Sequence, residues 1–234
     1  MLDIAIVLNG EIADQEGFNY LVNSASYLLA VDGGLNHLID LNIKPDLFLG
    51  DFDSVSTEAI KKIKQWQIST IKFPVQKNFT DSELAIEEIL STGRFNFTDS
   101  KPVIGLLAAF GSRYDHLLNN QLLAKRFSTQ ADFILSDGLV LQWILAGPRT
   151  LQLNWPCTKL NLTRKYTFSL LALSKIVNNV TIRNSEYTLK RHDLKSGHSL
   201  GISNLAKNGD YKRTAEVEIR FDEGCLTVII IPEI

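Results

Sequence analysis

The sequence predicts an α/β part built on a parallel sheet with helices on both faces, followed by an all-β sandwich. Two observations carry this. Over the first 135 residues short β-rich runs alternate with stretches whose apolar residues recur at helical spacing, whereas after about residue 138 the helical spacing nearly vanishes. A third, the turn-forming pair Gly147-Pro148 between two strand-like runs, sets the boundary, giving parts 1–146 and 147–234. The chain's 234 residues, 45% apolar and 21% charged with 14 Gly and 6 Pro, have ordinary globular composition, which excludes disorder, collagen and a small disulfide scaffold.

Taken in order, Ile4–Leu8, Tyr27–Val31, Leu47–Leu49, Ile68–Phe73, Val103–Ala109 and Phe133–Leu135 are apolar and β-branched enough for buried strands. Between them, Phe18, Leu21, Val22 and Ala25, then Ala59, Ile60 and Ile63, then Leu84 and Ile89, then Leu118 and Leu122 mark amphipathic helices. Such alternation gives a Rossmann-like parallel sheet, because parallel neighbours need a crossover that a helix supplies. In the second part Leu139–Leu145, Thr167–Leu173, Val180–Ile182 and Glu216–Ile231 are β-branched or alternating, with Asn, Gly, Ser and Lys between them. These are the marks of antiparallel strands joined by short polar turns.

Charge is unevenly spread. Residues 1–60 hold ten acids and a single base, Lys44, and the stretch Lys159–Arg213 holds eleven bases against three acids. No apolar run reaches the length of a membrane span, and the N-terminal run lacks the basic flank of a signal peptide. Cys157 and Cys225 stand in no metal-ligand spacing, and the four histidines form no His-x-x-x-His pair. A cytoplasmic protein using oxygen-ligated metal, if any, is the expectation. The bases of the second half carry no aromatic-basic motif, so no nucleic acid partner and no membrane partner is expected.

In a parallel α/β sheet, ligands bind beyond the carboxyl ends of the strands. Asp32 follows one strand and leads into Gly33-Gly34, small residues that let backbone amides approach a ligand or simply make a tight turn. Gly50-Asp51-Phe52-Asp53-Ser54 follows another, and two carboxylates two residues apart can both aim at one Mg2+, though Asp53 or Ser54 also suits as a helix cap. Thr80-Asp81-Ser82-Glu83 has the form of a capping box, with Lys77 and Asn78 upstream placed for phosphates. Gly111-Ser112-Arg113-Tyr114-Asp115-His116 precedes a helix, where a Gly-Ser turn and an arginine fork suit phosphate oxygens. Asp32, Asp51, Asp53, Asp81 and Asp115 each follow a different strand and converge on one edge, where they repel unless they hold metal. There is no P-loop and no Gly-x-Gly-x-x-Gly, so P-loop kinases and nicotinamide dehydrogenases lose support.

Five pieces resemble, in order, those of the thiamine pyrophosphokinase family in its shorter bacterial form. They are Val31-Asp32-Gly33-Gly34-Leu35-Asn36, Pro45-Asp46-Leu47 running into Gly50–Ser54, Thr80–Ala85, Gly111–His116, and Gly197 with Gly201-Ile202-Ser203-Asn204. The resemblance implies a catalytic α/β domain and a thiamine-binding β-sandwich, paired as a homodimer with active sites at the interface, and diphosphate transfer from ATP to thiamine with release of AMP. It implies Mg2+ on Asp51, Asp53 and Asp81, and Asp115 at the thiamine hydroxyl. For ATP it implies Asp32, Gly33, Gly34, Asn36, Lys77, Ser112 and Arg113. For thiamine it implies Asp46, Asp115, Tyr187, Gly201, Ser203 and Asn204. Departures are Asn78 for a usual Asp, His37 for a frequent Arg, and Asn184-Ser185-Glu186-Tyr187 for the usual aromatic segment.

A carboxylate amid other acids is expected to have its pKa raised, which suits Asp115 to deprotonate the hydroxyl. The alternative within enzymes is a Mg2+-dependent phosphoryl or nucleotidyl transferase acting on another small alcohol.

Overall fold

The computed structural model describes residues 2–51, 54–72, 79–91, 95, 97, 101–153, 166–206 and 217–232. Two compact units emerge, Met1–Leu123 with Ile134–Gly138, and Ala124–Phe133 with Leu139–Ile234.

In the first unit the chain runs β1 (Leu2–Val7), α1 (Gln15–Asn23), β2 (Ala25–Val31), α2 (Gly34–Asp40), β3 (Leu47–Gly50), α3 (Thr57–Trp66), β4 (Ser69–Lys72), α4 (Asp81–Ser91) and β5 (Val103–Leu107). It continues into α5 (Tyr114–Phe127) and β6 (Asp132–Ser136), whose residues are shared between the two units. Strand order is β4-β3-β2-β1-β5-β6, and the pairs β1–β2, β1–β5, β2–β3 and β3–β4 are all parallel. The inner strands read as continuous apolar runs because helices cover the sheet: Ile4 to Val7, Leu28 to Val31 and Leu47 to Leu49 are buried without alternation. Each helix brings one stripe to this core, Phe18, Leu21 and Val22 from α1, Leu35 and Leu38 from α2, and Ala85, Ile86 and Ile89 from α4.

Two sequence expectations change here. Ala25 opens β2 instead of extending α1, because Asp14 caps that helix at Gly17 and Ser24 closes it by bonding back to Tyr20 and Leu21. On α5 the helix is as expected but the face is not. Leu118 and Leu122 stay exposed in line with Tyr114, while Asn120, Leu123, Ala124 and Phe127 face inward.

The second unit contains β7 (Leu141–Ala146), β8 (Arg149–Leu153), β9 (Tyr166–Ala172), β10 (Ile176–Arg183), β11 (Leu189–Lys195), β12 (Val217–Phe221) and β13 (Cys225–Pro232). Strands β7-β13-β9 form one antiparallel layer and β11-β10-β12-β8 the other. Alternation supplies the sandwich core: Phe168 and Leu170 point inward from β9, Val217, Ile219 and Phe221 from β12. The run expected as one strand over Glu216–Ile231 is two, broken where Gly224 adopts φ +97° and so turns the chain back. Gly147-Pro148 joins β7 to β8, and at the start of β8 Arg149 pairs with the carboxylate of Asp132, which is only 2% exposed. No helix among the described residues is long and apolar enough to cross a membrane.

Candidate active site

A cavity of about 400 Å³ opens at the carboxyl edge of the first unit's sheet. Its walls come from the ends of β1, β2 and β5, the start of α4 and the turn before α5, which is where a parallel sheet leaves a crevice for ligands. Asp32, Asp81, Ser112 and Arg113 all line it. Asp51, immediately past β3, reaches this group through its backbone: its N–H donates to Asp32 Oδ1 at 3.2 Å. Asp53, Lys77 and Asn78 lie outside the described residues.

Asp32 is the electrostatic centre of the edge. Its backbone is left-handed at φ +45°, with its own N–H bonded to Leu49 O at 3.0 Å, so the chain turns sharply and the carboxyl folds over the end of β3. Gly50 makes this possible, since a Cβ there would stand 2.0 Å from Asp32 Oδ1. Burial and the neighbouring Asp81 carboxylate, which also hydrogen-bonds it, push the Asp32 pKa up to about 7. Two carboxyl groups close enough to share a proton form a hard-oxygen donor pair that a divalent cation would relieve. Among the described residues no group of three or more His, Cys, Asp or Glu converges as a metal cage.

Asp115 behaves otherwise than expected. Arg113 donates from Nε to Asp115 Oδ1 at 2.9 Å and from Nη2 to Oδ2 at 2.7 Å, a paired fork that holds the carboxyl well below the usual carboxylate range. Both side chains are open to solvent, 71% and 65% exposed, so the pair is accessible to an incoming anion. The raised carboxyl belongs to Asp32, and Asp115 stays ionised.

The remaining residues divide plainly. Gly33 and Gly34 sit where side chains would collide, with the side chain of Asn9 at 2.3 Å and with Val7 O at 2.1 Å, so both permit close packing of α2 on β1. Asn36 braces the loop after β3, donating to Ser54 O at 3.1 Å and accepting from Ser56 N at 3.0 Å. Ser56, bonded to Ala59 N, is the cap of α3, which leaves Ser54 without that role. Thr80 caps α4 through Glu83 N at 3.3 Å. Asp46 lies at the opposite end of β3 from the cavity, its Oδ2 accepting from Leu28 N at 2.8 Å. His37, in place of an arginine, bonds Gly10 O at 2.9 Å.

On the second unit, Asn204 is 3% exposed and holds the segment around Tyr187. Its Oδ1 accepts from Tyr187 N at 3.1 Å and Leu205 N at 2.9 Å, and its Nδ2 donates to Tyr187 O at 2.7 Å. Gly201 packs against β9, where a Cβ would stand 2.5 Å from Leu170 O, and Ser203, at φ +59°, bonds Ser169 Oγ through its N–H at 3.0 Å. Tyr187 itself is 69% exposed, with Leu200 and Ile202 also exposed.

Comparison with known proteins assigns these two halves. The family model described as "Thiamin pyrophosphokinase, catalytic domain" matches residues 18–135, and that described as "Thiamin pyrophosphokinase, vitamin B1 binding domain" matches 157–226. The chain belongs to the thiamin pyrophosphokinase family. It is 26% identical over 179 residues to thiamine pyrophosphokinase of Bacillus subtilis (strain 168), covering 75% of this chain and 76% of that one. In fold it is similar to the crystal structure of thiamine pyrophosphokinase from Bacillus subtilis, with TM-score 0.79, 22% identity and 99% of both chains covered. The thiamin pyrophosphokinase from Candida albicans superposes with TM-score 0.76 at 14% identity, over 99% of this chain and 89% of that one. As a member of this family the chain places Asp32, Asp51, Asp81 and the Gly111–Arg113 turn within the catalytic match, and Tyr187, Gly201, Ser203 and Asn204 within the vitamin-binding match.

Sequence reasoning missed the loop after β1. Asn9, Gly10 and Glu11 line the cavity, and Asn-Gly directly past a strand end is the signal that could have found it.

Proposed function

We propose that this chain transfers diphosphate from ATP to the hydroxyethyl oxygen of thiamine, releasing AMP, with the first unit taking ATP and the second taking thiamine. The observation that carries the reading is the meeting of Asp32, Asp81 and the Ser112-Arg113 turn in one cavity inside the catalytic-domain match. In the reaction the hydroxyl oxygen bonds to the β-phosphorus as the bridge to the α-phosphate breaks, so the site must position and neutralise charge more than react covalently. Asp51, Asp53 and Asp81 would hold Mg2+, whose role when bound is to offset phosphate charge.

Arg113 would offer phosphate oxygens a planar donor fork and Ser112 a backbone N–H in the turn before α5, with Lys77 a further cation for the triphosphate. Asp115, kept ionised, accepts the hydrogen bond of the thiamine hydroxyl, aligns its oxygen and, as a weak base, takes its proton only as the bond to phosphorus forms. Tyr187 offers an exposed ring to the cationic thiazolium. Exposed apolar residues on each unit, Tyr114, Leu118 and Leu122 on one and Tyr187, Leu200 and Ile202 on the other, support a homodimer that covers them and completes the site. The buried free thiol of Cys225 agrees with a reducing, cytoplasmic setting.

Incubation with ATP, Mg2+ and thiamine, followed by identification of both products, tests the reading. AMP with thiamine diphosphate is expected. ADP would indicate single phosphoryl transfer, pyrophosphate would indicate nucleotidyl transfer, and either would overturn it.

A further inference from the structure

Two of the donors assigned to phosphate are already bonded to carboxylates of the chain itself. Asp115 takes the Arg113 fork, and Glu11 Oε1 accepts the Ser112 N–H at 3.0 Å. Glu11 belongs to none of the motifs, yet its position is built. The loop after β1 is zipped to the loop after β5 by Leu8 N to Leu107 O at 2.8 Å, Gly10 N to Ala108 O at 2.9 Å and Glu11 N to Phe110 O at 2.8 Å. Gly10 permits this approach, because a Cβ there would lie 2.2 Å from both Ala108 O and Phe110 O. The carboxylate is thereby delivered to the amide at the start of α5, in the same cavity as Arg113 and Asp81.

We propose that Glu11 sets nucleotide affinity by mimicking a phosphate: its carboxylate occupies the Ser112 N–H that a phosphate oxygen of ATP takes, and binding exchanges one anion for the other. This rests on the placement of ATP phosphates at Ser112 and Arg113 given above. The exchange is unfavourable in two ways. The hydrogen bond to Glu11 must be broken, and the freed carboxylate remains on a loop that lines the cavity receiving the triphosphate. A neutral side chain at the same place keeps the hydrogen bond and removes the repulsion.

Glu11→Gln separates this role from simple bracing, since its amide oxygen still accepts from Ser112. Calorimetric titration of the full chain with ATP and Mg2+, without thiamine, reads the effect as Kd. Glu11→Gln is expected to bind ATP roughly fivefold tighter than the natural chain, with the gap closing at about 0.5 M NaCl as screening shortens the reach of the charge. Glu11→Ala, which lacks both charge and acceptor, is expected to bind at least as tightly as the natural chain. Equal, measurable affinities for Glu11→Gln and the natural chain would overturn the inference and leave the function standing. So would a Glu11→Ala that binds more weakly while Glu11→Gln is unchanged, the pattern of a bracing residue. No ATP binding by either the natural chain or Glu11→Gln would overturn both.

Discussion

Replacing Asp32 with Asn should make the metal-free protein more stable at neutral and alkaline pH, with the advantage shrinking as pH falls towards the ordinary aspartate pKa. In the folded chain burial and Asp81 push the Asp32 pKa up to about 7, against 3.8 for an unhindered aspartate. The folded state therefore binds this proton more tightly than the unfolded state does, and stability falls as pH rises between those two values, then levels off above pH 7. A shift of about three units corresponds to about 4 kcal/mol at full weight, but Asp32 is only partly buried, and solvent screening reduces the expected effect to about 1–2 kcal/mol. Asn is isosteric and neutral, so it mimics the protonated form at every pH. The assay is urea unfolding in EDTA at pH 5 and pH 8 for both proteins. Asp32→Asn should have the smaller advantage at pH 5, where only part of the linked loss has occurred, and the full advantage at pH 8. A difference between them that does not change from pH 5 to pH 8 would refute the reasoning, because the raised carboxyl would then contribute nothing.

Three other outcomes are expected. Asp51→Asn should lower turnover by two or more orders of magnitude, about 3 kcal/mol of transition-state stabilisation, with an unchanged circular dichroism spectrum and melting temperature. Asn204→Ala should cost about 2–3 kcal/mol in urea unfolding, because the Tyr187 and Leu205 N–H groups and the Tyr187 carbonyl lose their buried partner, and it should raise KM for thiamine more than KM for ATP. Arg149→Met should destabilise the chain by about 3 kcal/mol by leaving the Asp132 carboxylate buried without its cation, and adding Asp132→Asn should recover most of the loss, which a double-mutant cycle measures.

The parallel sheet was legible because strands buried on both faces leave unbroken apolar runs, and the helices between them because their stripes repeat at 3.6 residues. The strand β11 was not, since its residues Lys190, Arg191, His192 and Asp193 are exposed and break the apolar signal. At the site, Asp32 and Asp81 could be assigned to one edge from topology alone. Their shared proton depends on the left-handed turn at Asp32 and on the missing side chain at Gly50, neither of which periodicity reveals. Asp115 differs from expectation for a related reason. Counting acids suggests a raised pKa, but the turn before α5 folds Arg113 back onto its neighbour two residues on, and one close cation outweighs more distant anions. Asp46, which the motif resemblance assigns to thiamine, has its carboxylate tying the start of β3 to Leu28, a local role that no motif reveals.

The double hold of Asn204 on Tyr187 bears on the entropy of recognition. With its N–H and carbonyl both fixed from below, the Tyr187 backbone has little freedom left to surrender, and only the two side-chain torsions of the ring remain to be frozen when a cation stacks on it. An exposed ring on an anchored backbone is a preorganised surface, so a ligand there meets an ordering penalty of one side chain instead of a loop.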